Sequence, residues 1–378
     1  MSVITNIEDL RRLARNRIPR ALFEFADSGS YDEITRDANR DALKAIRFRQ
    51  RVLVDVSKIS LATTMLGEKV AMPVVIAQTG LTGLFHGDDE ILAARAAERA
   101  GIRFTLSTMS ICSIEDVGAA LRAPFWFQLH VFKDRGFSES VVARARAAGR
   151  TALFVAVDVP TRGQRHADLK NGLAVPPKLT LRNAFDVLIK PGWTTGVLAG
   201  KRRTFGNIDA YIKGKGKVSA SGSWINDNID ASLSWNDIAW LRKLWPGKLV
   251  LKGVLDVDDA RKAADLGVDA IVVSNHGGRQ LDGAPATITV LPRIAEAAGD
   301  RIEILFDGGV RSGQDVLKAL ALGAHGCLIG RAYLYGLAAM GEAGVSKALS
   351  LIEDELRTTM AFTGVDDAGR VSRNVLFD

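Results

Sequence analysis

The stretch LVLKGVLDVDDARKAADLGVDAIVVSNHGGRQLD, residues 249–282, reads as a strand, a helix, a second strand and a glycine-rich loop. Leu249–Lys252 and Ala270–Ser274 are short runs without a polar face, as expected of parallel strands covered by helices. Residues 256–266 carry apolar side chains at helical spacing and several alanines, which favour helix.

Outward from this unit the same alternation repeats. Apolar runs at 73–77, 103–107, 126–131, 152–157, 303–306 and 327–329 bring the strands to eight. Helical patterns at 89–100, 113–121, 138–148, 237–244, 288–298 and 313–322 separate them. Eight such units over about 250 residues predict an α/β fold, a (β/α)8 TIM barrel spanning residues 73–335. A doubly wound sheet is the competing arrangement, but no G-x-G-x-x-G follows the first strand. Residues 1–60 read as a helical lead-in, with amphipathic spacing at Ile7–Arg15 and Ile18–Ala26, and 340–363 as one long C-terminal helix. Residues 170–235, between the fourth and fifth strands, hold no regular βα unit and form a long insert. The whole chain, 1–378, is expected to be a single domain.

With 47% hydrophobic and 25% charged residues, the 378-residue chain is able to bury a large core and is not mainly disordered. No apolar run approaches the length of a membrane span. Glu8, Asp9, Arg11 and Arg12 stand where a secretory signal would be apolar, so a cytoplasmic location is expected. Cys112 and Cys327 are too few for a disulfide framework, and the five histidines show no metal-ligand spacing. The net charge of +7 is local. Nine basic residues against two acidic ones lie between Val175 and Lys217, so the rest of the chain is balanced.

In a barrel, ligand groups belong at the carboxyl ends of the strands. His276 and Arg279 follow one strand, Lys252 ends another, and Asp158 ends a third with Arg162 and Arg165 just after. Histidine exchanges a proton near neutral pH, arginine grips a carboxylate with two parallel bonds, and a carboxylate orients a histidine. Each also has a plainer reading: a glycine-rich surface turn, a snorkelling lysine, a capping aspartate. Asp307-Gly308-Gly309-Val310-Arg311 and Gly330-Arg331 end the last two strands, where glycines and arginines favour a phosphate group. The P-loop, G-x-S-x-G, H-E-x-x-H and C-x-x-C patterns are all missing from the sequence.

SNHGGRQLD, LVLKGV, FDGGVRSGQDVLKALALGA and LIGRAYLYG together closely resemble the FMN-dependent 2-hydroxy acid dehydrogenases and oxidases. That family includes glycolate oxidase and the L-lactate and mandelate dehydrogenases. The resemblance runs almost end to end, through ALFEFADSGSYDE, LSTMSICSIEDV, WFQLHV and VDVPTRGQRHADLKNG. It implies FMN as cofactor, with His276 as base, Asp158 as its partner and Lys252 beside the flavin. Arg165 and Arg279 would hold the substrate carboxylate. Thr79, Gly80, Ser107, Gln128 and Ser274 would contact the flavin, and Asp307, Gly309, Arg311, Gly330 and Arg331 its phosphate arm.

Departures from the family pattern fall on the substrate side. Phe25 and His130 stand where the family usually has tyrosines, Ala156 where it has threonine, and Gln78 where it has proline. His130 would donate a hydrogen bond in place of the phenol, or titrate. L-Lactate is the default substrate and a mandelate-like or other bulky 2-hydroxy acid the alternative. A flavin-binding protein with little turnover is the alternative of another class. Gly80 resembles the dehydrogenases that pass electrons to a quinone or cytochrome. The insert, with Phe185, Leu188, Ile189 and Trp193 among its cations, aligns with a loop that attaches some family members to a membrane; a lid or subunit contact is the plainer reading. The resemblance implies a homotetramer peripheral on the inner face of the cell membrane. Nucleic acid is not an expected partner.

Overall fold

The computed structural model describes residues 3–173, 181–200, 202, 204–212 and 224–377. Its strands are β1 (Thr63–Met65), β2 (Glu68–Val70), β3 (Val74–Ile76), β4 (Arg103–Ser107), β5 (Trp126–Leu129), β6 (Ala152–Ala156), β7 (Lys248–Val254), β8 (Ala270–Val273), β9 (Glu303–Phe306) and β10 (Gly326–Ile329). β3 to β10 are parallel and close on themselves, with Cys327 of β10 in register with Val74 of β3. The barrel is the (β/α)8 arrangement that the alternation predicts.

Two packing layers explain the apolar runs. Val75, Trp126, Phe154, Val250, Val272, Leu305 and Leu328 point inward and fill the barrel. Their neighbours Val74, Phe127, Val155, Leu251, Ile271, Ile304 and Cys327 point outward against the helices. Both faces are buried, so neither is polar. Side chains alternate, so the inward row continues past the apolar layer to the carboxyl mouth. Thr79, Ser107, Gln128, Asp158, Lys252, Ser274, Asp307 and Gly330 all fall on that row.

The opposite end of the barrel is plugged. The β1–β2 hairpin places Met65, Leu66 and Val70 in the interior cluster. Leu66 N donates to Glu303 Oε2 at 2.9 Å, and Trp126 Nε1 to Glu68 Oε1 at 3.2 Å. Strands of three residues are too short to carry a period-two signal, so the hairpin is not legible beforehand.

The lead-in holds three helices, α1 (Ile7–Arg17), α2 (Arg20–Asp27) and α3 (Ile34–Ala45). The third is strongly polar and lies beyond the two stretches of amphipathic spacing. It is held by the barrel mouth, where Asn39 and Asn275 exchange two amide bonds at 2.9 Å and Lys318 Nζ donates to Leu43 O at 2.8 Å. At the C-terminus the expected long helix runs Glu342–Thr363, directly after the Arg331–Met340 helix that follows the last barrel strand. Gly341, at φ 62° and ψ −139°, turns the chain between them, a conformation L side chains rarely adopt.

The described part of the insert is helical at Leu181–Leu188, Pro191–Ala199, Gly206–Ile212 and 224–228. Its second half belongs to the barrel wall: Phe205, Asn207, Ile208 and Ile225 are buried, and Asn207 Oδ1 accepts from Ile114 N at 3.0 Å. Its first half instead exposes Phe185, Leu188 and Ile189.

Candidate active site

The inward row surrounds a cavity of about 400 Å³ at the carboxyl mouth. The polar groups at the strand ends are linked to one another. His276 Nδ1 lies 3.0 Å from Asp158 Oδ2 and 3.2 Å from Oδ1. That leaves Nε2 as the ring nitrogen available to a ligand. His276 has φ 56°, unusual for a residue with a side chain, and its backbone N–H is fixed by Ser274 Oγ at 3.1 Å. Ser274 Oγ also accepts from Lys252 Nζ at 2.9 Å, and Lys252 pairs with Asp307 Oδ2 at 3.0 Å.

Burial and pairing compete at each of these charges. Burial disfavours the Asp158 carboxylate, but His276 and Lys252 outweigh it and hold the pKa below the usual value. Burial likewise opposes the Lys252 ammonium, yet Asp307 and Asp158 prevail and raise its pKa. Lys252 therefore stays cationic deep in the mouth. Gly253 is what allows the approach: at φ 112° it bulges β7, and a Cβ there would lie 2.5 Å from Asp158 Cγ.

Arg165 and Arg279 line the same cavity and flank the Phe25 ring, their guanidinium carbons 5.8 and 5.1 Å from its centroid. Arg279 Nη1 donates to the backbone carbonyls of Phe25 and Ser28 at 2.6 and 3.1 Å. Burial, with Arg165 and Arg331 nearby, lowers the Arg279 pKa well below its usual value. A buried cation without a carboxylate bond calls for an anionic ligand. The lost Tyr hydroxyl is thus replaced by a ring that supports both guanidinium groups through its face.

His130 lines the cavity, and no described residue hydrogen-bonds its ring nitrogens. Burial, then the nearby His276, lowers its pKa to about 4, so the ring is neutral at physiological pH. A neutral imidazole in that position is able to donate or accept a hydrogen bond.

Several orphaned polar atoms test whether FMN fits. Gln128 Nε2, both amide atoms of Gln78 and Asp307 Oδ1 are buried without a partner. Ser107 Oγ donates to Gln128 Oε1 at 2.9 Å, which turns the Gln128 N–H groups away from Ser107. Unpaired buried donors and acceptors are costly, and a flavin's carbonyls, ring nitrogens and hydroxyls would satisfy them. A Cβ on Gly330 would meet no protein atom within 4 Å, so that side of the cavity is open. Gly309, at φ 95°, brings backbone into the same region beside Arg311. Arg331 is more committed than expected: three of its N–H groups hold the carbonyls of Ala26, Gly277 and Ser28 at 2.8–2.9 Å. Two N–H groups remain for a phosphate oxygen. Burial lowers its pKa to about 10.

Thr79 Oγ1 is hydrogen-bonded to the Tyr333 hydroxyl. A Cβ on Gly80 would lie 2.8 Å from Met109 Cβ, so packing alone requires glycine there. Asp158 and Ser274 stand behind His276 and Lys252 rather than on the cavity surface; the other expected residues line it. Sequence reasoning missed Asn39, Asn275, Met109, Phe205, Ile225 and Ile229. They come from the lead-in, loops and insert, where no strand-end position marks them.

Residues 14–378 match the family described as FMN-dependent dehydrogenase. An L-lactate dehydrogenase of Caulobacter vibrioides (strain NA1000 / CB15N) is 48% identical over 376 residues, covering 99% of this chain and 98% of that protein. An L-lactate dehydrogenase of Vibrio parahaemolyticus serotype O3:K6 (strain RIMD 2210633) is 45% identical over 375 residues, 99% of each. The crystal structure of the monotopic membrane protein (S)-mandelate dehydrogenase is similar with a TM-score of 0.95 at 37% identity, covering 100% of both chains. With the family model matched over residues 14–378, full-length relatives and a matching fold, the chain belongs to the FMN-dependent dehydrogenases, oxidoreductases that act on 2-hydroxy acids.

Proposed function

We propose that this chain oxidises an L-2-hydroxy acid to the 2-oxo acid and passes the electrons to a membrane quinone or a cytochrome. The observation that carries the reading is the Asp158–His276 pair at 3.0 Å, in one cavity mouth with Arg165, Arg279 and Lys252. Arg165 and Arg279 hold the substrate carboxylate and so orient the 2-carbon. His276 Nε2 takes one of the two protons the alcohol loses, and Asp158 stabilises the resulting imidazolium. His130 stays neutral and hydrogen-bonds the substrate without competing for that proton. FMN, when bound, supplies the acceptor for the two electrons. Gln128, Gln78 and Lys252 would hold its ring, with Lys252 offsetting negative charge there, and Asp307, Gly309, Arg311, Gly330 and Arg331 its phosphate arm.

L-Lactate, named for the relatives, is the first acid to try. Phe132, Phe205, Ile225 and Ile229 make one wall of the cavity apolar, which favours aryl acids as a second reading. Mixing the purified yellow protein with a panel of 2-hydroxy acids without oxygen tests the function. Rapid bleaching by one of them is expected; an FMN-loaded protein that no acid bleaches refutes it.

The membrane contact would run through the first half of the insert. Phe185, Leu188 and Ile189 are 64, 76 and 53% exposed around the end of one helix, a site suited to an interface. No helix among the described residues is long and apolar enough to cross a membrane. Of the nine cations, Lys178, Lys201, Arg203, Lys213, Lys215 and Lys217 lie outside the described residues, as does the Arg182 side chain. Lys190 Nζ bonds Asn16 O, and Arg202 bridges Asp88 and Asp116 at 2.8 Å each. The second half of the insert is built into the barrel, so deleting it would confound folding with binding. Replacing Phe185, Leu188 and Ile189 by serine is the cleaner test: activity should leave the membrane pellet, and an unchanged distribution would exclude this anchor. A homotetramer, tested by light scattering, completes the reading.

A further inference from the structure

The cavity mouth holds one more cation than a simple 2-hydroxy acid needs. Arg162 is exposed to solvent yet lines the cavity, which puts it at the mouth. No described residue gives it a hydrogen bond or an ion pair. Its backbone, in contrast, is fixed on both sides by one side chain. Gln280 Nε2 donates to Thr161 O at 3.1 Å, and Gln280 Oε1 accepts from Gly163 N at 3.3 Å. Gly163 has no room for a Cβ, which would collide with Arg279 O and lie 2.9 Å from Gln280 Cα. The loop carrying Arg162 is thus packed directly on the loop carrying Arg279. Burial and the neighbouring Arg165 both disfavour the Arg162 charge.

Charge balance gives this arrangement a meaning. Among the described residues two carboxylates line the cavity, Asp168 and Asp307, and Asp307 is committed to Lys252. Asp168 Oδ2 lies 3.4 Å from Arg165 Nη1, and burial raises the Asp168 pKa. Asp168 acts on Arg165 and Arg279, the two arginines that would also hold the substrate's α-carboxylate, and not on Arg162. One guanidinium is left without a counter-charge, and it is the one farthest toward solvent, where the remote end of a substrate would lie.

We propose that Arg162 binds a second carboxylate at the far end of the substrate, making the preferred acid a 2-hydroxydicarboxylate. This rests on the 2-hydroxy acid reading and specifies its substrate class; the chemistry at the 2-carbon, two electrons and two protons lost, is the same. The pinned loop presents Arg162 already placed, so little ordering opposes the contact. Arginine's planar fork matches a carboxylate with two parallel bonds.

The test compares acids of equal carbon number. Anaerobic flavin reduction is followed with L-malate against L-2-hydroxybutyrate, and with L-2-hydroxyglutarate against L-2-hydroxyvalerate. At least one dicarboxylate should exceed its partner in kcat/KM by about tenfold or more, the worth of one charged hydrogen bond. In R162Q that dicarboxylate should lose about tenfold to hundredfold, and its monocarboxylate partner less than about threefold. R162K should recover part of the difference, because it keeps the charge and loses the fork. Independently of any variant, succinate should perturb the FMN absorbance of the wild-type holoprotein at lower concentration than butyrate. Equal losses on both acids in R162Q, or monocarboxylates preferred by the wild type, overturn the inference and leave 2-hydroxy acid oxidation standing. No bleaching by any acid overturns both.

Discussion

At the ends of β6 to β9, the polar groups are linked to one another, with Asp307 Oδ1 alone of them left over. Asp158 holds His276, Ser274 receives Lys252 and the His276 amide, and Lys252 pairs with Asp307. The groups that loops and other elements bring to the same cavity behave differently. The side chains of His130, Arg162 and Gln78 have no hydrogen-bond partner among the described residues, and the Phe25 ring stands between arginines. A linked set of charges has one geometry and suits a fixed chemical step. Unpartnered groups are selected by what arrives, so they suit recognition. Three of the four residues that depart from the family pattern, Phe25, Gln78 and His130, lie in the second set, and only Ala156, at the end of β6, lies beside the first.

The largest expected effect breaks the linked set at its base. His276→Asn keeps a residue that tolerates φ 56° but removes the proton acceptor. The kcat/KM for the best acid should fall by about a thousandfold, with FMN content and absorbance maintained. A loss below about tenfold would move the base elsewhere.

His130 sets a smaller effect, read in stability rather than turnover. Its pKa falls from 6.5 unfolded to about 4 folded, because burial and His276 oppose the charge. Between those values the unfolded chain binds a proton that the folded chain refuses. Its contribution is complete above about pH 6.5 and is lost as pH falls toward 4. His130→Asn should therefore lose about 3 kcal/mol less than wild type between pH 7 and pH 4 in urea titrations. Equal losses would mean that the ring is solvated and that the recognition set is wetter than its burial implies.

Gly253 probes the contact between the sets of strands. Gly253→Ala places a Cβ at φ 112° and 2.5 Å from Asp158 Cγ. It should destabilise the fold by about 2 kcal/mol and slow flavin reduction as Asp158 is pushed from His276. Unchanged denaturation and unchanged rate together would show that β7 relaxes around the added methyl.

The linked set was legible in the sequence because it lies on strands. A period of two, continued past each apolar run, brings Asp158, Lys252, Ser274 and Asp307 to one mouth without knowledge of the turns between them. The recognition set obeys no such rule. Phe25 arrives on a lead-in helix, and Phe205 and Ile225 return from an insert whose composition spoke only of charge. The same limit hid α3, whose polar face meets Asn275 rather than an apolar core.

The smallest effect restores the hydroxyl that distinguishes this chain. Phe25→Tyr adds a phenol beside Arg165 and Arg279, where the ring already touches both guanidinium groups. A hydrogen bond to a carboxylate is worth roughly 1.5–3 kcal/mol, but the hydroxyl must also be desolvated among cations that already hold the anion. A gain near the lower bound is expected, about tenfold in affinity for L-lactate. The gain should appear in KM and leave kcat nearly constant, because the α-carboxylate is held alike before and during reaction. If Phe25→Tyr raises kcat instead, the phenol acts at the 2-carbon, and the division between chemistry and recognition passes through Phe25 rather than beside it.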